Sequence, residues 1–214
     1  MAKKSHLTED NNQLSALNII RQHLAPLLRS FGLYILVTMP IFVVSIYMVT
    51  INKRLLPNHL SAIPLINLTC LIAMLSTILL SEKLSDLFGR KKTCSIAATT
   101  ILLLAYPCFT NLVNGSLSEL MAWKILLATA TGLFLGPNST LMAEILPAAG
   151  KYAVMSIAYN TSSAIFGGTA PIVCVWLVQY FGGLEGVAYY MIAAAAVALM
   201  CLIGYKDQSF EKLL

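Results

Sequence analysis

The chain has 214 residues, of which 58% are hydrophobic and only 11% are charged, and it carries a formal net charge of +5. A water-soluble domain of this size needs a more heavily charged surface, so the composition excludes one. The apolar residues stand in blocks of membrane-crossing length and the basic residues gather at the block ends, which points to membrane helices and away from nucleic-acid binding.

Met1–Asn12 is polar and reads as a tail. Leu14, Leu17, Ile20, Leu24, Leu27 and Leu28 then recur at helical spacing, with Arg21, Gln22, His23 and Arg29 between them. This predicts an amphipathic helix, either lying on the inner membrane surface or serving only as a connector. Residues 1–29 thus form a cytoplasmic amino-terminal tail with a lead-in helix. No cleavable signal peptide is expected, because this segment is polar and the first apolar run is too long for one. Six spans follow, near Phe31–Ile51, Ser61–Leu80, Cys94–Leu112, Ser118–Ile145, Ala153–Phe181 and Val187–Gly204. The expected fold is all-α, a six-helix membrane bundle over residues 30–206 with a short cytoplasmic tail at 207–214.

The spans differ in their polar faces. Span one places Tyr34, Thr38, Ile41 and Ser45 together, with Pro40 able to kink it. Span two aligns Asn67, Cys70, Met74, Thr77 and Ser81. Span four carries Ala128, Gly132, Gly136 and Thr140 at four-residue spacing, and Pro137-Asn138 lies within it. Span five shows Ser156, Asn160, Ser163 and Gly167, then Gly168 and Pro171. Small residues at this spacing allow helices to approach closely, and Asn in hydrocarbon needs protein or water beside it. Spans one, two, four and five are therefore expected to line an interior path, or to use these groups only as glue between helices. Spans three and six are expected to face lipid.

The stretch Ser81–Lys92 packs four basic and two acidic residues between spans two and three, and it reads as a short loop at the membrane surface. Placing it in the cytoplasm puts Lys3, Lys4, Arg21, Arg29, Lys83, Arg90, Lys91, Lys92, Lys151, Lys206 and Lys212 inside and only Lys53 and Arg54 outside. Both termini are then cytoplasmic. No Asp, Glu or His falls in the middle of a span, so a carboxylate proton relay at depth is not expected. Lys124 lies about two turns inside the outer end of span four. It is expected to snorkel to the interface or, alternatively, to face the cavity as a partner for an anionic solute group.

Cys70, Cys94, Cys108, Cys174 and Cys201 show no CxxC spacing and read as buried inert thiols. No nucleophile–base pair, phosphate loop, metal cluster or cofactor motif stands out, so an enzyme is not expected.

Leu84-Ser85-Asp86-Leu87-Phe88-Gly89-Arg90-Lys91 resembles the loop signature of the major facilitator superfamily, with Ser81 where that pattern has Gly and Leu87 where it has Arg. Glu144-Ile145-Leu146-Pro147, followed by Ser156-Ile157-Ala158-Tyr159-Asn160 and by Ala164 to Pro171, resembles the metabolite:proton symporter branch that includes proline/betaine transporters. The resemblance implies the carboxy-terminal six-helix half of such a transporter in a cell inner membrane. It implies alternating access and a solute such as proline, a betaine or a dicarboxylate moved with a proton. It further implies that the third and sixth helices lie outside. The partner would be a separately encoded amino-terminal half or a second copy. Tyr34, Asn67, Asn138, Tyr159 and Asn160 are the candidate cavity residues, and Asp86, Gly89, Arg90, Lys91 and Glu144 the candidate cytoplasmic gating loop. Ala148-Ala149-Gly150-Lys151-Tyr152-Ala153 departs from the family's T-x-x-R-Y-[ST], which weakens the expected inner charge network. Asp86 is left to meet the amino end of span five. Arg90 or Lys91 could pair with Glu144, or Arg90–Lys92 could simply hold the topology. A non-transporting remnant, or a membrane scaffold or assembly protein, is the alternative reading.

The charge bias gives a direct test. Reporter fusions at Gly115 and at Leu214 should give opposite readings, and equal readings would refute this topology.

Overall fold

The computed structural model describes residues 24–55, 57–112, 116–146 and 151–203. These contain six helices long and apolar enough to cross a membrane. Span one joins α1 (Leu24–Phe42) through a π-helical turn, Val43–Tyr47, to α2 (Met48–Leu55). Spans two, three and four are α3 (Ile63–Phe88), α4 (Arg90–Asn111) and α5 (Leu117–Ile145). Span five joins α6 (Lys151–Ser162) through a second π-helical turn, Ser163–Gly167, to α7 (Ala170–Phe181), and span six is α8 (Glu185–Leu202). The lead-in helix expected from Leu14 lies mostly outside the described residues; Leu24 to Arg29 form the first turns of α1.

Interruptions occur where the sequence removes or redirects a backbone hydrogen bond. Pro40 has no N–H to donate, and the π turn follows within a few residues. In span five the amide of Gly168 donates to the Ser163 carbonyl at 2.7 Å, and Pro171 opens α7 in its first turn. The hydroxyl of Thr169 donates to the Ile165 carbonyl, which gives that acceptor a partner where the helix breaks. At the other extreme, α5 runs unbroken through Pro137. Its start is fixed by a capping box: the Ser116 amide donates to Glu119 Oε2 at 2.8 Å and the Glu119 amide donates to Ser116 Oγ at 3.4 Å.

The expected charged loop between spans two and three is almost absent. The helix continues from the membrane through Ser81 to Phe88, breaks at Gly89 alone, and resumes at Arg90. Gly89 has φ 96° and ψ 139°, a conformation that only glycine adopts at low cost. A single residue turns the chain because its amide still bonds the Ser85 carbonyl and its carbonyl accepts from the Thr93 amide.

Span two packs along span four, span four also meets span three, and span three meets span six. Span six lies against span one, which in turn packs on span five. The interior is filled by Leu33, Leu36 and Met39 of span one, Ile101 and Phe109 of span three, Leu127 and Phe134 of span four, and Met191 of span six. Span six, featureless in sequence, buries a stripe of small residues at Ala188, Ala195 and Ala198. Within this bundle the most exposed spans are two and five, not three and six. Buried residues make up 17% of their most apolar stretch, against 44% in spans three and six, 56% in span four and 61% in span one.

The small residues of span four do lie against a neighbour. A Cβ on Gly132 would stand 2.5 Å from the Met74 carbonyl oxygen, and one on Gly136 would stand 2.6 Å from that of Ile78. Neither backbone atom can move without breaking span two. Gly136→Leu should therefore lower the unfolding free energy in detergent by about 1–3 kcal/mol or more, the scale of overpacking. A wild-type melting profile for Gly132→Leu and Gly136→Leu would refute this seam.

Candidate functional site

Polar side chains gather at three levels of the bundle. The first lies toward the end opposite Arg90. Lys124, seven residues into α5, is completely buried. Its Nζ donates to Asn67 Oδ1 at 2.9 Å across the seam between spans two and four. The expectation that Lys124 snorkels to the interface is therefore corrected. The stem leans toward the start of α5, and the ammonium stops level with Asn67, whose amide oxygen holds it inside the bundle. Cys70, three residues along span two on the same face, is buried beside them.

The second level is the seam between spans one and five, in the half nearer Arg90. Tyr34 and Tyr159 meet edge to face with ring centroids 5.4 Å apart, and Phe31 and Phe166 do so at 5.9 Å. Tyr34 is buried while Tyr159 is 45% exposed, so the pair opens to one side. The Thr38 and Ser162 hydroxyls lie 3.2 Å apart, and Thr38 also donates to the Tyr34 carbonyl at 2.9 Å. Gly167 leaves room for the Phe42 ring, which a Cβ would meet at 2.8 Å. Asn160 is exposed, and its Nδ2 is held on its own helix by the Ser156 carbonyl at 2.8 Å and the Ser156 hydroxyl at 3.1 Å.

Of the five candidate cavity residues, the structure thus brings Tyr34 and Tyr159 together. Asn67 belongs to the separate Lys124 pair. Asn138 is buried in span four beside Pro137, and its Oδ1 has no hydrogen-bond partner. Asn52, fully buried near the opposite end of span one, leaves both amide atoms unpartnered. The sequence reading passed over Asn52 because it follows the apolar run and adjoins Lys53 and Arg54. Its signal would have been an uncharged amide directly before two charges on a helix with a buried face.

The third level surrounds Gly89. Arg90 Nη1 donates to Glu144 Oε1, and Nη2 donates to Asp86 Oδ1 at 3.2 Å. One guanidinium fork thereby ties the end of span two and the start of span three to the end of span four. Glu82 extends the contact, accepting from the Thr140 hydroxyl at 3.4 Å. Asp86, expected against the amino end of span five, pairs with Arg90 instead. It sits one helical turn before Arg90, within reach once the intervening loop shrinks to one residue.

No family model matches the chain. It is 25% identical to the ectoine/proline transporter of Corynebacterium glutamicum over 94% of this chain and 40% of that protein. It is 30% identical to the citrate-proton symporter of Klebsiella pneumoniae over 76% of this chain and 37% of that protein. It is 25% identical to the proline/betaine transporter of Escherichia coli K12 over 93% of this chain and 40% of that protein. The chain therefore spans about 40% of the length of the curated relatives it matches along most of its own length. With its six spans, it is a multi-pass membrane protein resembling one half of such a transporter. The relatives are transporters, not enzymes.

The fork at Arg90 predicts an order of effects. Its side chain is 19% exposed and that of Glu144 11%, whereas that of Asp86 is 63% exposed. A double-mutant cycle on Arg90 and Glu144 should give a coupling of about 1–3 kcal/mol. Asp86→Asn should cost under about 0.5 kcal/mol, as for exposed pairs. Equal costs for Asp86→Asn and Glu144→Gln, measured by unfolding in detergent, would contradict this arrangement.

Proposed function

We propose that the chain forms one six-helix bundle of a secondary active symporter, which takes up a small solute with a proton by alternating access. The observation that carries this reading is the similarity, over 76% to 94% of the chain, to relatives named for proline, ectoine, betaine or citrate. These solutes differ in size and net charge but share a carboxylate, so the chemical class is a carboxylate or a zwitterion that contains one.

The geometry supports this reading in two ways. Spans two and five, which carry Asn67 and Tyr159, present open faces, as half of a cavity would when shaped to be closed by a second bundle. The Tyr34–Tyr159 pair offers a ring face and edge of the kind that holds a quaternary ammonium by cation–π attraction. The Arg90–Glu144–Asp86 cluster would close the cytoplasmic end of the bundle with Gly89 and Lys91 beside it. In this reading both termini and that cluster lie in the cytoplasm and the membrane is the cell inner membrane. The second bundle is an amino-terminal half or another copy of the chain.

Among the described residues every carboxylate lies at or near a helix end, so this bundle contributes no acidic relay at mid-membrane. The 214-residue chain alone, in liposomes under an inward proton gradient, should accumulate none of proline, glycine betaine or citrate. Co-reconstitution with a matching six-helix amino-terminal bundle should produce gradient-driven uptake of at least one. Accumulation by the chain alone would contradict the need for a different, carboxylate-bearing bundle, and no uptake with any such bundle would favour a non-transporting protein.

A further inference from the structure

Lys124 combines three properties that rarely coincide. It has no solvent exposure. It belongs to a span, seven residues beyond Leu117 and about 10 Å along the helix axis. Among the described residues its one hydrogen-bond partner, Asn67, is neutral. Among the described residues both ion pairs belong to Arg90. The acidic residue nearest in sequence, Glu119, is engaged with Ser116 in the capping box. An ammonium in hydrocarbon is stable when an anion stands beside it, and a lone amide oxygen supplies only part of that stabilisation.

The surroundings say what kind of anion fits. Asn67 is half-buried and lies on span two, whose outer flank is open at Leu65, Leu68 and Ile72. Its Oδ1 accepts from one of the ammonium's three N–H donors. An arriving carboxylate can take that donor, and the amide can then turn about its terminal torsion and present its NH₂ to the second carboxylate oxygen. One flat anion would thus meet a charge and a donor from two adjacent helices. Leu127 and Ala128 of span four and Cys70 of span two are buried close by in sequence, so the immediate setting is otherwise apolar and small.

We infer that Lys124 and Asn67 form the anchoring site for the carboxylate of the transported solute, with Lys124 as its counter-ion. This rests on the symport reading above and deepens it. A zwitterion held here has its carboxylate on Lys124 and its cationic end directed away, because two positive groups repel in a low-dielectric site. That orientation leaves the ammonium end for an aromatic or acidic surface elsewhere in the cavity.

The test uses the full chain in lipid nanodiscs with glycine betaine, L-proline and citrate as probes, and choline as the analogue of betaine without a carboxylate. Binding is read by calorimetry and by the shift in melting temperature. At least one carboxylate probe should bind the wild type through Lys124, whereas any binding of choline should be the same in wild type and Lys124→Met. Lys124→Met should weaken that binding about tenfold or more, the scale of a lost charge-assisted hydrogen bond, while Lys124→Arg retains most of it. Asn67→Asp guards against a folding defect in Lys124→Met, because it keeps the lysine and gives it a permanent carboxylate. It should raise the melting temperature and abolish probe binding. The site is overturned if no carboxylate probe binds the wild type, if Lys124→Met binds as well as the wild type, or if Asn67→Asp does. Lys124-dependent binding without uptake in any reconstitution would instead remove the symport reading and leave the anion site standing.

Discussion

Two helices in hydrocarbon gain nothing from burying leucine on leucine, because lipid tails are just as apolar; they associate when their backbones come close enough for dense van der Waals contact. In this bundle that condition is met between spans two and four, where Gly132 and Gly136 face the carbonyls of Met74 and Ile78. The two helices run side by side in nearly constant register. Lys124 bonds a residue 57 positions earlier, and Thr140 bonds one 58 positions earlier. Both of these polar contacts depend on that register. With a larger residue at either glycine the helices would separate, and the ammonium of Lys124 would lose Asn67 while keeping its place in the interior.

Spans one and five are joined by different means. Rings interlock at Phe31–Phe166 and Tyr34–Tyr159, and hydroxyls face each other at Thr38 and Ser162. Only at Gly167 does a missing side chain matter, and there it admits a ring. Span four, with Phe134 and Leu127 in the core, links this side to the first. The consequence for function is a division of labour. The tight seam fixes a charge and an amide at one depth, and the aromatic seam leaves Tyr159 partly open at another.

Much of the fold was legible because membrane helices are written in blocks: six apolar runs became six spans, and the four-residue spacing of Gly132 and Gly136 located a close contact before any partner was known. The partner helix was not legible, since spacing reveals a face but not what it meets. Lys124 shows why the site was harder. Depth from a helix end favours snorkelling for a lysine considered alone, and only the neighbouring Asn67 keeps it inside. Gly89 shows the same limit for turns. A run rich in charge suggests a loop, yet Gly89 donates to the Ser85 carbonyl and accepts from the Thr93 amide, and these bonds let two helices share a single hinge residue. The Arg90–Glu144 pair was one of several readings left open, since Lys91 could equally have met Glu144 or the basic run could have served topology alone, while Asp86 was directed elsewhere by assuming a loop that does not exist.

The two π-helical turns, Val43–Tyr47 and Ser163–Gly167, each accommodate one more residue than an α-helical turn would. One residue is about 100° of rotation around a helix. Everything beyond each turn, Met48–Leu55 in span one and Ala170–Phe181 in span five, therefore presents a different set of side chains than an uninterrupted helix would. The two turns lie one beside the other, where Gly167 of span five admits the Phe42 ring of span one, and Tyr47 and Cys174 are both buried. Within spans one and five, the loss or gain of a single residue is best absorbed at these turns, because the bulge can take up the change of phase. The same change in span four would turn Gly132 or Gly136 out of the seam.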